Sequence, residues 1–135
     1  MSPPSSPVSR YRTNPAFASS SDIYADGAAI EGAPRVLHTS GQVGIRADGT
    51  TSPDFAEQCA QALTNLIAVL AAADMKPQNV VKLTCYVVGE RPLAALYDAR
   101  RRLLANVGPA STTVIVQGLA APEWLVEIEA IAATG

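Results

Sequence analysis

Apolar residues recur every three to four positions from Phe55 to Ala73 and again from Leu93 to Leu104, but elsewhere fall in short alternating or continuous runs. The two periods separate helix from strand, because a helix returns to one face every ~3.6 residues and a strand every ~2. In the first helix Phe55, Cys59, Ala62, Leu63, Leu66, Leu70 and Ala73 form the inward stripe, with Glu57, Gln61 and Thr64 on other faces. Ser52-Pro53-Asp54 offers an N-cap, a proline for the first helical position and an acid for the first turn; Pro77 lies beyond the end. A second helix is expected from Pro92 to about Asn106. Its stripe is Leu93, Leu96, Tyr97, Leu103 and Leu104, while Arg100, Arg101 and Arg102 fan outward as a solvated face.

Strands are expected at Ile23–Glu31, Arg35–Val43, Val80–Val88, Thr112–Gln117 and Leu125–Ala132. Gly32-Ala33-Pro34 reads as the tight connection of a hairpin between the first two. The third puts Val81, Leu83, Cys85 and Val87 on one face and Lys82, Thr84 and Tyr86 on the other. Gly118, Pro122 and Trp124 mark the last loop, where Trp124 is expected to cover the edge of the core. The order ββαβαββ predicts an α+β fold with two helices on one face of a sheet. The opposite face then needs cover, since the last strand is apolar on both sides apart from Glu127 and Glu129, and oligomerisation is the natural solution.

Length and composition narrow the picture. The chain of 135 residues fits one domain, expected over 21–135, preceded by a Pro- and Ser-rich segment, 1–20, that reads as a flexible lead-in or surface arm outside the core. A formal net charge of −2 and a pI near 5.3 argue against a surface built to collect nucleic-acid backbones. No apolar run reaches the ~18 residues a membrane span needs, so a cytoplasmic protein with no membrane partner is expected. Cys59 and Cys85 fall inside elements and read as small core hydrophobes. His38 is the single histidine, which excludes a multi-histidine metal site within one subunit; no metal, cofactor or phosphate loop is expected.

Catalysis, if present, must lean on carboxylates and backbone groups. Glu127 and Glu129 share one face of the last strand, about 7 Å apart. Either each is paired or solvated at an edge, with Lys82 a candidate partner, or one faces a cleft as a general acid/base with a raised pKa. In Thr39-Ser40-Gly41-Gln42 the glycine lets backbone N–H groups approach a ligand closely. His38, on the same face as Ser40, reads as a packed or partly exposed residue.

Several pieces in order, the Tyr24 segment, His38-Thr39-Ser40-Gly41-Gln42-Val43-Gly44, Glu57-Gln58, Ala62-Leu63-Thr64-Asn65-Leu66, Val80 to Val87, Pro109-Ala110 and Val126 to Ala132, resemble the Rid family of reactive-intermediate deaminases, often called L-PSP endoribonucleases. The resemblance covers Tyr24 to Ala132. It implies a chorismate-mutase-like fold and a homotrimer with a central barrel, whose sites lie in clefts between subunits. It also implies that Glu127 matches the glutamate that, with backbone groups, supports water attack on an enamine or imine. The family stretch Pro-Ala-Arg-Ser reads Pro109-Ala110-Ser111-Thr112 here, so a short hydroxyl stands where the deaminases grip a substrate carboxylate with arginine.

Ser111 and Thr112 become candidate ligand contacts, together with Tyr24, Ser40, Gly41 and Arg91; for Arg91 the alternative is a solvated residue at a helix start, and for Tyr24 a core or interface aromatic. The expected function is chemistry on a small reactive metabolite: hydrolysis, deamination, tautomerisation or cyclisation, with Glu127 as acid/base. The alternatives are a non-catalytic small-molecule-binding trimer and an endoribonuclease.

Overall fold

A computed structural model describes residues 6–16, 23–33 and 35–135. Its elements run β1 (Val8–Tyr11), β2 (Gly27–Ile30), β3 (Arg35–His38), β4 (Gln42–Val43), α1 (Phe55–Ala72), β5 (Val80–Val88), α2 (Leu93–Leu103), β6 (Ala110–Val116) and β7 (Val126–Thr134). The main sheet has the order β3-β7-β5-β6, with β4 also paired to β7. β5 and β6 are parallel, joined by α2 as the crossover, and the other pairs are antiparallel. Both helices pack on one face of this mixed sheet, so the α+β reading stands.

The stripe read from the sequence is the buried face of α1: Leu63, Leu66 and Leu70 are fully enclosed with Leu83, Val87, Leu96, Val126 and Ile128. Each such side chain contributes about 1.5–3 kcal/mol through lost water contact. The helix begins later than the cap reading placed it. Asp54 is extended and is the N-cap, its carboxylate accepting the Glu57 N–H at 2.9 Å. Ser52 Oγ accepts the Asp54 N–H at 3.1 Å and donates to the Glu57 carboxylate, leaving Pro53 outside the helix. Gln58, fully buried, ties the start of α1 to both flanking loops: its amide donates to the Ser52 and Glu123 carbonyls and its oxygen accepts the Leu125 N–H.

Three local expectations fail. The hairpin between Ile23–Glu31 and Arg35–Val43 does not form, because β2 pairs with β1 and β3 pairs with β7; Pro34 of its connection lies outside the described residues. The lead-in, of which 1–5 and 17–20 lie outside the described residues, carries β1. Its Val8 is buried against Val81 and Ala133. Arg10 pins that strand by donating to the carbonyls of Gly108, Gln78 and Val80, distant partners that no local pattern announces. Finally, β5 is irregular between Val80 and Lys82, which turns Val81 away from Leu83, Cys85 and Val87 and toward the β1–β2 side.

Candidate functional site

The expected long strand Arg35–Val43 is broken in a way that shapes the site. Four steps from His38 to Gln42 face three from Ile131 to Ile128 on β7, so one extra residue bulges out within Thr39-Ser40-Gly41. Thr39 holds the break closed: its N–H donates to Ala130 O at 2.9 Å and its Oγ1 accepts the Ala130 N–H at 3.0 Å. The Glu127 side chain lies across Gly41. A β-carbon at 41 would sit 2.6 Å from Glu127 Cδ and 2.7 Å from Cγ, so only glycine admits this approach. Ser40 is exposed, and its carbonyl accepts from Gln42 Nε2 at 3.3 Å.

Alternation along β7 points Val126, Ile128 and Ala130 into the core and leaves half-buried Glu127, Glu129 and Ile131 on the outer face. Glu129 accepts the Tyr86 hydroxyl at 2.7 Å. That bond first, then desolvation and the charges of Glu129 and Glu127, raise the Tyr86 pKa and hold the phenol protonated. Lys82, the expected partner of the glutamates, donates instead to Thr112 Oγ1 at 2.7 Å. Thr112 is thereby turned to the outer face, away from Ser111. His38, exposed, joins Thr39, Lys82, Thr84 and Glu129 around a small cavity of about 150 Å³ on that face.

A second group lies on the other side of the sheet. Ser111 and Thr113 are register partners of the core residues Leu83 and Cys85, so they point to the helix side, at the edge strand β6. There a cleft of about 630 Å³ is lined by Tyr24, Tyr97, Arg100, Arg101, Ser111 and Thr113. Desolvation, followed by the charge of Asp26, raises the Tyr24 pKa, so its phenol is a donor at neutral pH. Tyr24 and Ser111 thus line one cleft.

Arg100 overturns the reading of Arg100, Arg101 and Arg102 as one solvated face. It is 2% exposed, donating to the Ile23 carbonyl at 2.7 Å and to Ser111 Oγ at 3.0 Å. The signal was available: Arg100 follows Leu96 by four and precedes Leu104 by four, on the inward stripe of α2. The charge run masked it. Arg101 and Arg102 are exposed. Tyr97 and Thr113 also reach the cleft without having been singled out for it.

Arg91 is exposed and separate from both groups, its Nε donating to the Val88 carbonyl at 3.1 Å in a groove beside Pro53 and Glu123. Cys59 and Cys85 are buried free thiols. Burial pushes Cys59 up to about 12 and Cys85 up to about 11, so neither is a thiolate nucleophile at neutral pH. Among the described residues no group of three or more His, Cys, Asp or Glu side chains is placed to hold a metal ion, and no helix is long and apolar enough to cross a membrane. Within one chain, then, Glu127 and the Tyr24–Ser111 cleft occupy opposite faces of the sheet.

Known proteins agree with this architecture. A family model described as Endoribonuclease L-PSP matches residues 18–134. The RutC family protein YjgH of Escherichia coli is 45% identical over 51 residues, which are 38% of this chain and 39% of YjgH. A 2-iminobutanoate/2-iminopropanoate deaminase of Capra hircus is 36% identical over 104 residues, 75% of this chain and 74% of that one. Among solved structures, YyfB of Yersinia pestis, a protein of unknown function of the conserved Rid protein family, superposes with a TM-score of 0.83 at 32% identity, covering 94% of this chain and 98% of its own. Sequence and fold therefore agree that the chain belongs to the Endoribonuclease L-PSP family, the Rid family of the motif resemblance.

Proposed function

We propose that the protein hydrolyses an enamine or imine of a small metabolite, in a cleft completed between adjacent subunits of a homotrimer, with Glu127 moving the proton. The observation that carries this reading is the Glu127 side chain lying across Gly41, beside a backbone break that leaves polar main-chain groups next to a carboxylate. A carboxylate so placed takes a proton from water as the water oxygen bonds to the imine carbon. The same proton passes to the nitrogen, and as the carbon–nitrogen bond breaks the new hydroxyl gives up its remaining proton, which completes the ammonia, so that a carbonyl compound and ammonia leave; an enamine enters the sequence by taking a proton on carbon and giving one up from nitrogen.

The 2-imino acid deaminase among the relatives supports this reaction class. The division of site residues between the two faces of one sheet supports a shared cleft, since a facing subunit would bring one chain's Glu127 toward another's Tyr24 and Ser111. Exposed Val36 at 49% and Val114 at 38%, both on the outer face by register, give that association an apolar surface.

Freshly generated 2-aminoacrylate and a panel of substituted enamines and imines provide the test. Release of ketone or ketoacid and ammonia faster than in buffer, by a protein whose light-scattering mass is that of a trimer, is the expected result. A rate equal to buffer across the panel, or a stable monomer at micromolar concentration, would refute the proposal.

A further inference from the structure

Arg100 stands on the inward stripe of α2 between Leu96 and Leu104, where an apolar side chain would pack at no electrostatic cost. No carboxylate among the described residues lies within ion-pair distance of it, and burying a cation without an anion is costly. Desolvation lowers its pKa below the usual arginine value, yet a guanidinium keeps its proton at neutral pH. What arginine supplies here, and leucine or methionine cannot, is a rigid fork of donors.

The two tips of that fork hold two different pieces of chain. Nη1 donates to Ser111 Oγ on β6, and Nη2 donates to the Ile23 carbonyl. The guanidinium packs against the Tyr97 ring, its carbon 5.9 Å from the ring centroid. Two residues beyond Ile23, the Ala25 N–H donates to the Pro109 carbonyl at 3.0 Å, and Ala25 bridges Ala110 of β6 in parallel. Tyr24 is therefore tied down on both sides. Its neighbours Ile23 and Ala25 are buried, while Tyr24 itself is half-buried and lines the cleft. The tie at Ala25 runs from main chain to main chain and asks nothing of a side chain. The tie at Ile23 depends on the guanidinium alone. An orphaned buried carbonyl is costly, so without Arg100 the segment would turn that carbonyl out to water, and Tyr24, one residue on, would move with it.

We propose that Arg100 is a positioning residue of the cleft: it ties the Tyr24 segment to α2 and β6 and so sets where the Tyr24 phenol meets a ligand. The inference rests on reading the cleft as a small-molecule site, and adds to it a residue that acts through Tyr24 without touching the ligand.

Arg100→Met keeps an unbranched apolar stem and removes the donors, whereas Arg100→Lys keeps the charge but has one donor atom for two acceptors. Each is tested in the full-length protein by amide hydrogen exchange and by turnover of an enamine or imine that the native protein hydrolyses. In Arg100→Met the Ala25 amide should exchange at least roughly tenfold faster than the change at the Leu66 amide of α1 accounts for. Arg100→Lys should show the same local effect at smaller size. In turnover, Tyr24→Phe should raise KM about fivefold in the native background, as loss of one hydrogen bond does, and less than about twofold in the Arg100→Met background, where the phenol is already misplaced. A purely structural Arg100 would speed exchange at Ala25 and Leu66 alike and leave the cost of Tyr24→Phe the same in both backgrounds. Either result overturns the proposal, as does a Tyr24→Phe without cost in the native protein. Should Arg100→Met fail to fold, Arg100→Lys decides by the same two comparisons. A protein that turns over no enamine or imine removes the proposed chemistry, and the exchange comparison, which needs no substrate, still decides the role of Arg100; turnover without the local exchange effect would do the reverse.

Discussion

Replacing Gly41 by alanine separates the position of Glu127 from the stability of the fold. The new methyl would lie 2.6 Å from Glu127 Cδ and 2.7 Å from Cγ, against an ordinary carbon–carbon contact of about 3.5–4.0 Å. One partner must therefore retreat by about 1 Å. The atoms met belong to a flexible, half-buried side chain, so the retreat is a rotamer adjustment costing about 1 kcal/mol. For a chain of this size that lowers Tm by about 3–5 °C. A displacement of ~1 Å in a proton-transferring group costs about 100-fold in rate.

Gly44→Ala is the control, because its methyl would meet the Gln58 Cα at 2.9 Å, which is helix backbone and cannot swing aside. There the loss of stability is about 1–3 kcal/mol, without a specific effect on turnover beyond the folded fraction. Urea denaturation followed by circular dichroism gives the stabilities at one protein concentration, and hydrolysis of a freshly generated enamine gives the rates. If Gly41→Ala left turnover unchanged, or cost more stability than Gly44→Ala, the account of the Gly41–Glu127 contact would be wrong.

Gln58→Leu should destabilise the protein by about 3 kcal/mol, measured by urea denaturation, because it strands the Ser52 and Glu123 carbonyls and the Leu125 N–H without the partner that now serves them all. Cys59 and Cys85 should react with a disulfide reagent at neutral pH only as fast as the protein opens, since burial holds both thiols protonated; second-order labelling at the rate of a free thiol would contradict their placement. The Asp26 carboxylate accepts the N–H groups of Asn14 and Thr13, which, with the Asn14 bond foremost, hold its pKa below the ordinary 3.8. A depressed carboxylate pKa means its stabilisation is complete above the unfolded value and is lost as pH falls through the folded one. Amide-exchange protection of the β1–β2 pair should therefore hold at neutral pH and drop below pH ~4, and Asp26→Ala should abolish that dependence.

The sequence was legible wherever local periodicity decides structure. The stripe of α1 and the alternation of β7 are consequences of spacing, whereas the grouping of Tyr24 with Ser111 came only from the family resemblance. What it concealed depends on distant partners. Val8–Tyr11 is a strand because Arg10 reaches the carbonyls of Gln78, Val80 and Gly108, and β2 abandons the expected hairpin because β1 is there to pair with it. Thr112 looked like a neighbour of Ser111, but adjacent residues of a strand face opposite ways, and Lys82 fixes it to the outer face. Arg100 was hidden differently. A run of three arginines reads as solvated on composition, although its spacing from Leu96 and Leu104 already assigned one of them to the interior.

The central claim is that Glu127 moves a proton in the chemistry of this cleft. Its most direct test is the turnover of an enamine or imine that the native protein hydrolyses, compared with the same reaction by Glu127→Gln, which keeps the size of the side chain and removes its basicity. General acid–base catalysis contributes about 10²–10⁴-fold, so kcat should fall by at least about 100-fold while the protein keeps its melting temperature and its oligomeric mass. Turnover by Glu127→Gln at the native rate would contradict the account.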